Sequence, residues 1–270
     1  MRRLLIRPGA IGDCILSLRA LEHLAADFTE VWVPRPVVPL VQFADAVHPL
    51  ASTGIDLVGV GDLTMPQQLK SKLQCFDSII SWYGTNRPEF RERLLNLGVE
   101  CQFYPALPPR DTSAHASDFF ARQVGAPEGL VPRVGVKPCT SRRVIVIHPF
   151  SGGRSKNWPL DSYREVAARL PFPVEWTAGP EEELPEAVRF TNLAELGSWI
   201  GGAALYIGND SGITHLAAAV GVTTLALFGG SSRLNWAPRA ANVTVLHSPS
   251  LEQLDVETVL SAVNRLLDLP

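Results

Sequence analysis

Three stretches of this sequence crowd polar and charged residues where folding alone needs few of them. "GNDSGITHLAAAVGVTTLALFG", residues 208–229, sets Asn, Asp, Ser, Thr and His beside two strongly apolar runs. Asp210 or Ser211 can cap the helix that begins near Gly212, accepting a bond from an orphan backbone N–H. Gly212 carries no Cβ, so the amides beside it stay open to a ligand. A helix N-terminus of this kind suits an anion, by about 0.3–1 kcal/mol per exposed charge. His215 falls in the first turn. A capped helix with a histidine satisfied in the core accounts for the same residues.

"HPFSGGRSKNWP", residues 148–159, ends a strand and opens a flexible turn. The Ser151 hydroxyl, the backbone amides at Gly152 and Gly153 and the Lys156 ammonium can together hold a diphosphate. The loop is no Walker A motif, because G-x-x-x-x-G-K-[ST] is absent. An ordinary surface loop with a solvated Lys156 is the competing reading. "RPGAIGDCIL", residues 7–16, brings Asp13 to the start of the first helix. There a carboxylate can be a cap or a favourable first-turn charge. At a strand's carboxyl end, ionised at neutral pH, it can also be a general base. No G-x-G-x-x-G fingerprint is present, which disfavours an NAD site.

Two further groups are weaker. "TAGPEEE", residues 177–183, offers a carboxylate just past a strand, where ribose hydroxyls could donate to it; three successive Glu residues also open solvated helices. Arg87 and Arg91 share a helix face at i, i+4 and, with Arg93, could meet an anionic acceptor. A solvated face paired locally with Glu89 and Glu92 is the better expectation.

Short apolar runs alternating with amphipathic ones must position these groups. "RRLLIR" reads as a strand, and "GDCILSLRALEHLAADF" has the apolar spacing of a helix (Ile15, Leu18, Leu21, Leu24). Then come strand "EVWV", a helix near "PVVPLVQFA", strand "DSIISWYG", helix "RPEFRERLLNLG", the run "ECQFY" and helix "ASDFFARQVG". The Pro- and Gly-rich stretch 125–143 reads as a linker. Beyond it the pattern restarts with "VIVIHPF", then helix 160–169, strand "PVEWTA", helix 193–202, strand "ALYIG", helix 212–220, strand "TTLALFG", a strand near "NVTVL" and helix 255–267. Such alternation predicts an α/β chain of two Rossmann-like domains, 1–135 and 136–270, each a parallel sheet with helices on both faces. Ligands in such sheets bind at the carboxyl ends of the strands, where every motif above falls, so one inter-domain cleft is expected to collect them.

Composition bounds the rest. The chain has 270 residues, 46% apolar and 19% charged, which suits a packed globular protein. A net charge of −3 gives no reason to expect nucleic acid as a partner. The cysteines, Cys14, Cys75, Cys101 and Cys139, lie far apart, which argues against zinc and against a disulfide framework and for a reducing cytoplasm. The basic, apolar N-terminus mimics a signal peptide, but Arg7, Pro8 and Asp13 interrupt it. No stretch approaches the roughly 18 uninterrupted apolar residues of a membrane span.

"LLIRPGAIGDCILSLRAL", "HPFSGGRSKNWPLDSY" and "YIGNDSGITHLAAAVGVTTLALFG", in this order and spacing, resemble the ADP-heptose lipopolysaccharide heptosyltransferases, glycosyltransferase family 9. The shared pattern is a first strand ending in a Gly-Asp turn, a Lys-x-Trp-Pro loop and Asp-[Ser/Thr]-Gly-x-x-His before an Ala-rich helix. The resemblance implies the GT-B fold and an inverting, metal-free transfer of heptose from ADP-heptose to a lipid-linked oligosaccharide, the lipopolysaccharide inner core. It also implies a cytoplasmic protein, with peripheral contact at the inner membrane. Asp13 then matches the catalytic base, and Ser151, Gly152 and Lys156 the diphosphate loop. Glu183, with Glu182 as its near alternative, matches the ribose carboxylate. Asp210 matches a contact to the donor sugar, with Ser211, Gly212 and His215 completing that wall. Two departures stand out: the family usually has Pro where Gly230 stands, and the chain is shorter than typical members, in its first domain. A transferase for another nucleotide-sugar or a non-lipid acceptor, a non-catalytic nucleotide-binding GT-B module, and an epimerase or phosphorylase on this fold are the alternatives.

Overall fold

The computed structural model describes residues 1–60 and 65–268. The chain forms two units: Met1–Thr112 with Ala116–Leu130, and Ser113–His115 with Val131–Pro270.

The first unit is built from β1 (Arg2–Ile6), α1 (Ile11–His23), β2 (Phe28–Val33), β3 (Ala46–Pro49), α2 (Gln67–Leu73), β4 (Ser78–Ser81), α3 (Pro88–Leu95), β5 (Glu100–Phe103) and α4 (Ala116–Gln123). Its five strands are all parallel, in the order β3-β2-β1-β4-β5. β4 is buried along its length, and β1 and β2 along most of theirs, so burial does not alternate along them as it would in a sheet with one solvated face. Leu4, Ile6 and Ile79 pack with Leu69 and Leu73 of α2 and with Phe90 and Leu94 of α3. The helix expected near "PVVPLVQFA" is a 3-10 turn, Arg35–Leu40. Pro39 supplies no N–H for a longer α-helical ladder there.

The second unit contains β6 (Ile145–His148), α5 (Leu160–Arg169), β7 (Val174–Trp176), α6 (Leu193–Gly201), β8 (Leu205–Asn209), α7 (Gly212–Val220), β9 (Thr224–Phe228), α8 (Arg233–Trp236), β10 (Val243–His247) and α9 (Val256–Leu266). Its five strands are also parallel, in the order β10-β9-β8-β6-β7. Ile145, Ile147, Leu205, Ile207, Leu225 and Leu227 form one sheet face, covered by α5 and α9. α6 and α7 pack against each other, and Gly197 lets them approach: a Cβ there would stand 3.2 Å from Val220 Cγ1.

Each strand order reverses direction once. In the first sheet the reversal falls between β1 and β4, and in the second between β6 and β8. The turns leaving such strand pairs splay to opposite faces and open a crevice at the sheet's carboxyl edge. The chain is an α/β protein with two Rossmann-like units. Among the described residues, no helix is long and apolar enough to cross a membrane.

Candidate functional site

In the second unit the crevice lies between the turns after β6 and β8. Asn209, the last residue of β8, is fully buried and joins the two turns. Its Oδ1 accepts from the Trp158 amide at 3.0 Å and from the Tyr163 hydroxyl at 2.8 Å, and its Nδ2 donates to the Pro149 carbonyl at 2.7 Å. Trp158 is anchored in turn through Nε1 to the Leu254 carbonyl at 2.8 Å, with its ring edge-on to Tyr163. Asn209 therefore serves the fold by tying the two turns together.

Ser211 caps α7, its Oγ accepting from the Thr214 amide at 3.3 Å. This resolves the choice between Asp210 and Ser211 and releases the Asp210 carboxylate. Asp210, only 8% exposed, instead accepts from Lys156 Nζ at 2.7 Å and from Ser231 Oγ at 2.5 Å. Lys156 stands on the short 3-10 turn Arg154–Lys156, with its side chain 43% exposed. The turn after β6 thus sends its ammonium to the start of α7, where the first backbone amides emerge without intrahelical acceptors. A cation, a helix N-terminus and a hydroxyl converge there. Ser151 Oγ lies 2.9 Å from the Gly153 carbonyl and 2.8 Å from Asn157 Oδ1, so its one proton already has a place inside the loop. A side chain on Gly152 would meet no protein atom within 4 Å, so the space above that amide is open.

His215 is buried in the first turns of α7. Burial pushes its pKa down to about 4, against the pull of Asp210, and His115 and Lys156 lower it further. At neutral pH it is an uncharged imidazole. It contributes shape and a polar edge there, not a second positive charge.

At the neighbouring strand end, Glu182 is fixed by the Gly179 amide, which donates to its Oε2 at 2.5 Å. Glu183 is exposed. Of the two carboxylates weighed from the sequence, it is Glu182 that turns toward the end of β6, with Oε2 at 4.0 Å from His148 Nε2. The two are adjacent in a loop with no helical or strand period, so sequence alone gives no way to rank them.

In the first unit, β1 leads into Arg7 and the turn that carries Asp13. Gly9 takes a φ of +126°, a conformation that excludes other residues. Asp13 occupies the third position of α1 and accepts from the Ala10 amide at 3.3 Å, half of a capping box. It is partly exposed. Beneath it Arg7 is fully buried, donating to Ser17 Oγ at 2.9 Å and to the Pro8, Ala106 and Asp13 carbonyls at 2.6, 3.2 and 3.1 Å. Nothing in the sequence distinguished Arg7 from a solvated strand-end cation. Cys14 beside Asp13 is no nucleophile: burial raises its thiol to about 11.

A cavity of about 410 Å³ opens at the β1/β4 reversal, lined by Pro8, Trp82, Tyr83, Arg87, Pro105 and Leu107 among others. Arg87 is partly buried there. It donates to the Val58 carbonyl at 2.8 Å and lies against Tyr83 and Phe90, while Arg91 lies over Phe103. Arg91 and Arg93 are exposed, as a solvated face requires, but among the described residues Arg87 and Arg91 contact aromatic rings rather than forming ion pairs with Glu89 and Glu92. Among the described residues, no three His, Cys, Asp or Glu side chains gather as a metal ion would require.

Comparison with known proteins bears on this arrangement. The sequence model of glycosyltransferase family 9 (heptosyltransferase) matches residues 186–262, which contain β8, α7 and the Asp210 turn. Part of the chain is 32% identical to lipopolysaccharide heptosyltransferase 3 of Escherichia coli (strain K12), over 37% of this chain and 34% of that protein. The match thus spans about a third of the curated relative's length. The structure superposes on the E. coli ADP-heptose lps heptosyltransferase II with a TM-score of 0.76 at 18% identity, over 99% of this chain and 98% of that one. It superposes on E. coli heptosyltransferase WaaC with ADP with a TM-score of 0.72 at 16% identity, over 98% and 100%. At such identities these superpositions speak for the fold, which is the GT-B fold of those enzymes. Residues 186–262 are therefore similar to glycosyltransferase family 9, and the chain as a whole shares the fold of the solved heptosyltransferases.

Proposed function

We propose that this chain is an inverting glycosyltransferase that moves a heptose from ADP-heptose to a lipid-linked oligosaccharide of the lipopolysaccharide inner core. The observation that carries the reading is the convergence of Lys156, Asp210 and the N-terminus of α7 at the β6/β8 reversal. A diphosphate leaving group gathers negative charge as its bond to the sugar breaks. An ammonium and aligned backbone amides stabilise that charge most in the transition state, which is where stabilisation accelerates a reaction. Asp210 keeps the ammonium oriented before the nucleotide arrives, and Glu182 accepts from the ribose. The acceptor hydroxyl attacks the anomeric carbon as the bond to the diphosphate oxygen breaks, inverting that centre, and its proton passes to the Asp13 carboxylate. The protein works at the cytoplasmic face of the inner membrane, and its own chain supplies these groups with no metal ion. The likeness to proteins described as ADP-heptose and lipopolysaccharide heptosyltransferases supports the choice of donor and acceptor.

A donor screen tests the proposal. ADP-heptose, ADP-glucose, UDP-sugars and GDP-sugars are each supplied with an inner-core acceptor, and nucleotide release is followed. ADP release confined to ADP-heptose is the expected result. Release from another donor moves the protein to a different transferase specificity. Tight ADP binding with no turnover of any donor makes it a nucleotide-binding module.

A further inference from the structure

His148 closes β6 and is one of the few buried imidazoles, at 4% exposure. Its Nδ1 lies 2.9 Å from the Thr177 carbonyl. A carbonyl can only accept, so Nδ1 carries the proton and Nε2 presents a lone pair. That lone pair faces Glu182 Oε2 across 4.0 Å, too far for a hydrogen bond. Burial keeps the imidazole neutral, lowering its pKa against the pull of Glu182. Two acceptors therefore confront each other beyond the ends of β6 and β7, and neither can donate to the other. The Gly179 amide holds Glu182 in place, and the Phe150 ring packs edge-on to the imidazole. The pair is rigid, and a ligand that brings two donors side by side completes it. Vicinal hydroxyls have that form.

We propose that His148 is a second acceptor for the ribose of the nucleotide, its Nε2 taking one hydroxyl while Glu182 takes the other, so that the site selects ribonucleotides over deoxyribonucleotides. This rests on the reading that the second unit binds a nucleoside diphosphate. It adds a specificity-determining residue that the diphosphate and sugar contacts do not require.

The experiment measures binding of ADP, 2′-deoxy-ADP and 3′-deoxy-ADP to the full chain by calorimetry, without acceptor. Each deoxy analogue is expected to bind about tenfold more weakly than ADP, the loss of one hydrogen bond. His148→Asn retains an amide able to donate to Thr177 but has no atom at the Nε2 position. It is expected to weaken ADP about five- to tenfold and to abolish the penalty of at least one analogue. Glu182→Gln should abolish the other, and His148→Gln, whose amide oxygen reaches the Nε2 position, should recover part of the ADP affinity. Deoxy analogues that bind as tightly as ADP overturn the proposal, and so does His148→Asn with both penalties intact. The wild-type series decides the matter even where a variant fails to fold. Absence of ADP binding to the wild-type chain overturns the nucleotide reading instead, and that outcome is distinct from the others.

Discussion

Two Gly-Asp or Asn-Asp turns, one in each unit, follow a central strand at the point where the strand order reverses, yet they are built differently. Asp210 is nearly buried and pinned by Lys156 and Ser231, with Asn209 before it and a Ser211 cap after it. Asp13 is partly exposed, touches the Ala10 amide at a long 3.3 Å and rides on a turn braced from below by Arg7. A carboxylate held by a cation and a hydroxyl is a fixed charge that organises its neighbours. A carboxylate with solvent access on a rigid turn can exchange a proton. One carboxylate thus sits inside the first turn of its helix and the other just before the cap of its helix, in different surroundings.

The sharpest way to break this contrast is Asp13→Asn. In the proposed reaction it should lower transfer by about 10²–10⁴-fold, the usual worth of a general base, while ADP affinity measured by calorimetry stays put. Its effect on thermal stability should stay near 1 kcal/mol, that of a lost helix cap. A protein that unfolds instead makes Asp13 a structural residue. Acid should come next in size. Both His148 and His215 titrate below the ordinary histidine value in the folded chain, the latter near 4. Between these values and 6.5 the unfolded chain binds more protons than the folded one. Stability is then complete above pH 6.5 and falls as the pH drops toward 4, by at most on the order of 3 kcal/mol for His215. A urea midpoint unchanged from pH 7 to pH 5 would contradict the buried, neutral imidazoles.

Asn209→Ala tests the structural half of the Asp210 turn. It strands the Trp158 amide, the Tyr163 hydroxyl and the Pro149 carbonyl in a buried site, at a cost of about 2–3 kcal/mol in denaturant melts. Lys156→Ala should be milder for stability, because the lysine is substantially exposed and its ion pair is screened by water. Its expected signature is an ADP affinity about tenfold weaker, the worth of roughly one charge-assisted contact. The smallest effect separates neighbours: Glu183→Gln should leave ADP binding unchanged, whereas Glu182→Gln weakens it several-fold. Equal effects would place the ribose contact elsewhere.

Most of the fold could be read from the chain because its central strands are buried apolar runs and its main helices keep a clear period. Three elements could not. β3 is four half-exposed residues ending in Pro49, and α2 is a polar segment with only Leu69 and Leu73 at helical spacing. α8 is a single turn inside a loop rich in Gly and Ser. The site divided along similar lines. Asp13, Lys156 and Asp210 announced themselves as charges at strand ends. Ser231, which shares Asp210 with Lys156, lies 21 residues away along the chain with no pattern to mark it. Asn209 looked like one more polar turn residue, because burial and the identity of hydrogen-bond partners are tertiary facts. The choice between Glu182 and Glu183 turns on a single residue of loop geometry, below what composition can specify.

The triple bond set of Asn209 has a mechanical consequence. By stitching the segment after β6 to the end of β8, it makes two separate loops into one solid jaw. The part of the site left substantially exposed is the four-carbon arm of Lys156, which ends on Asp210 as a latch rests on a fixed post.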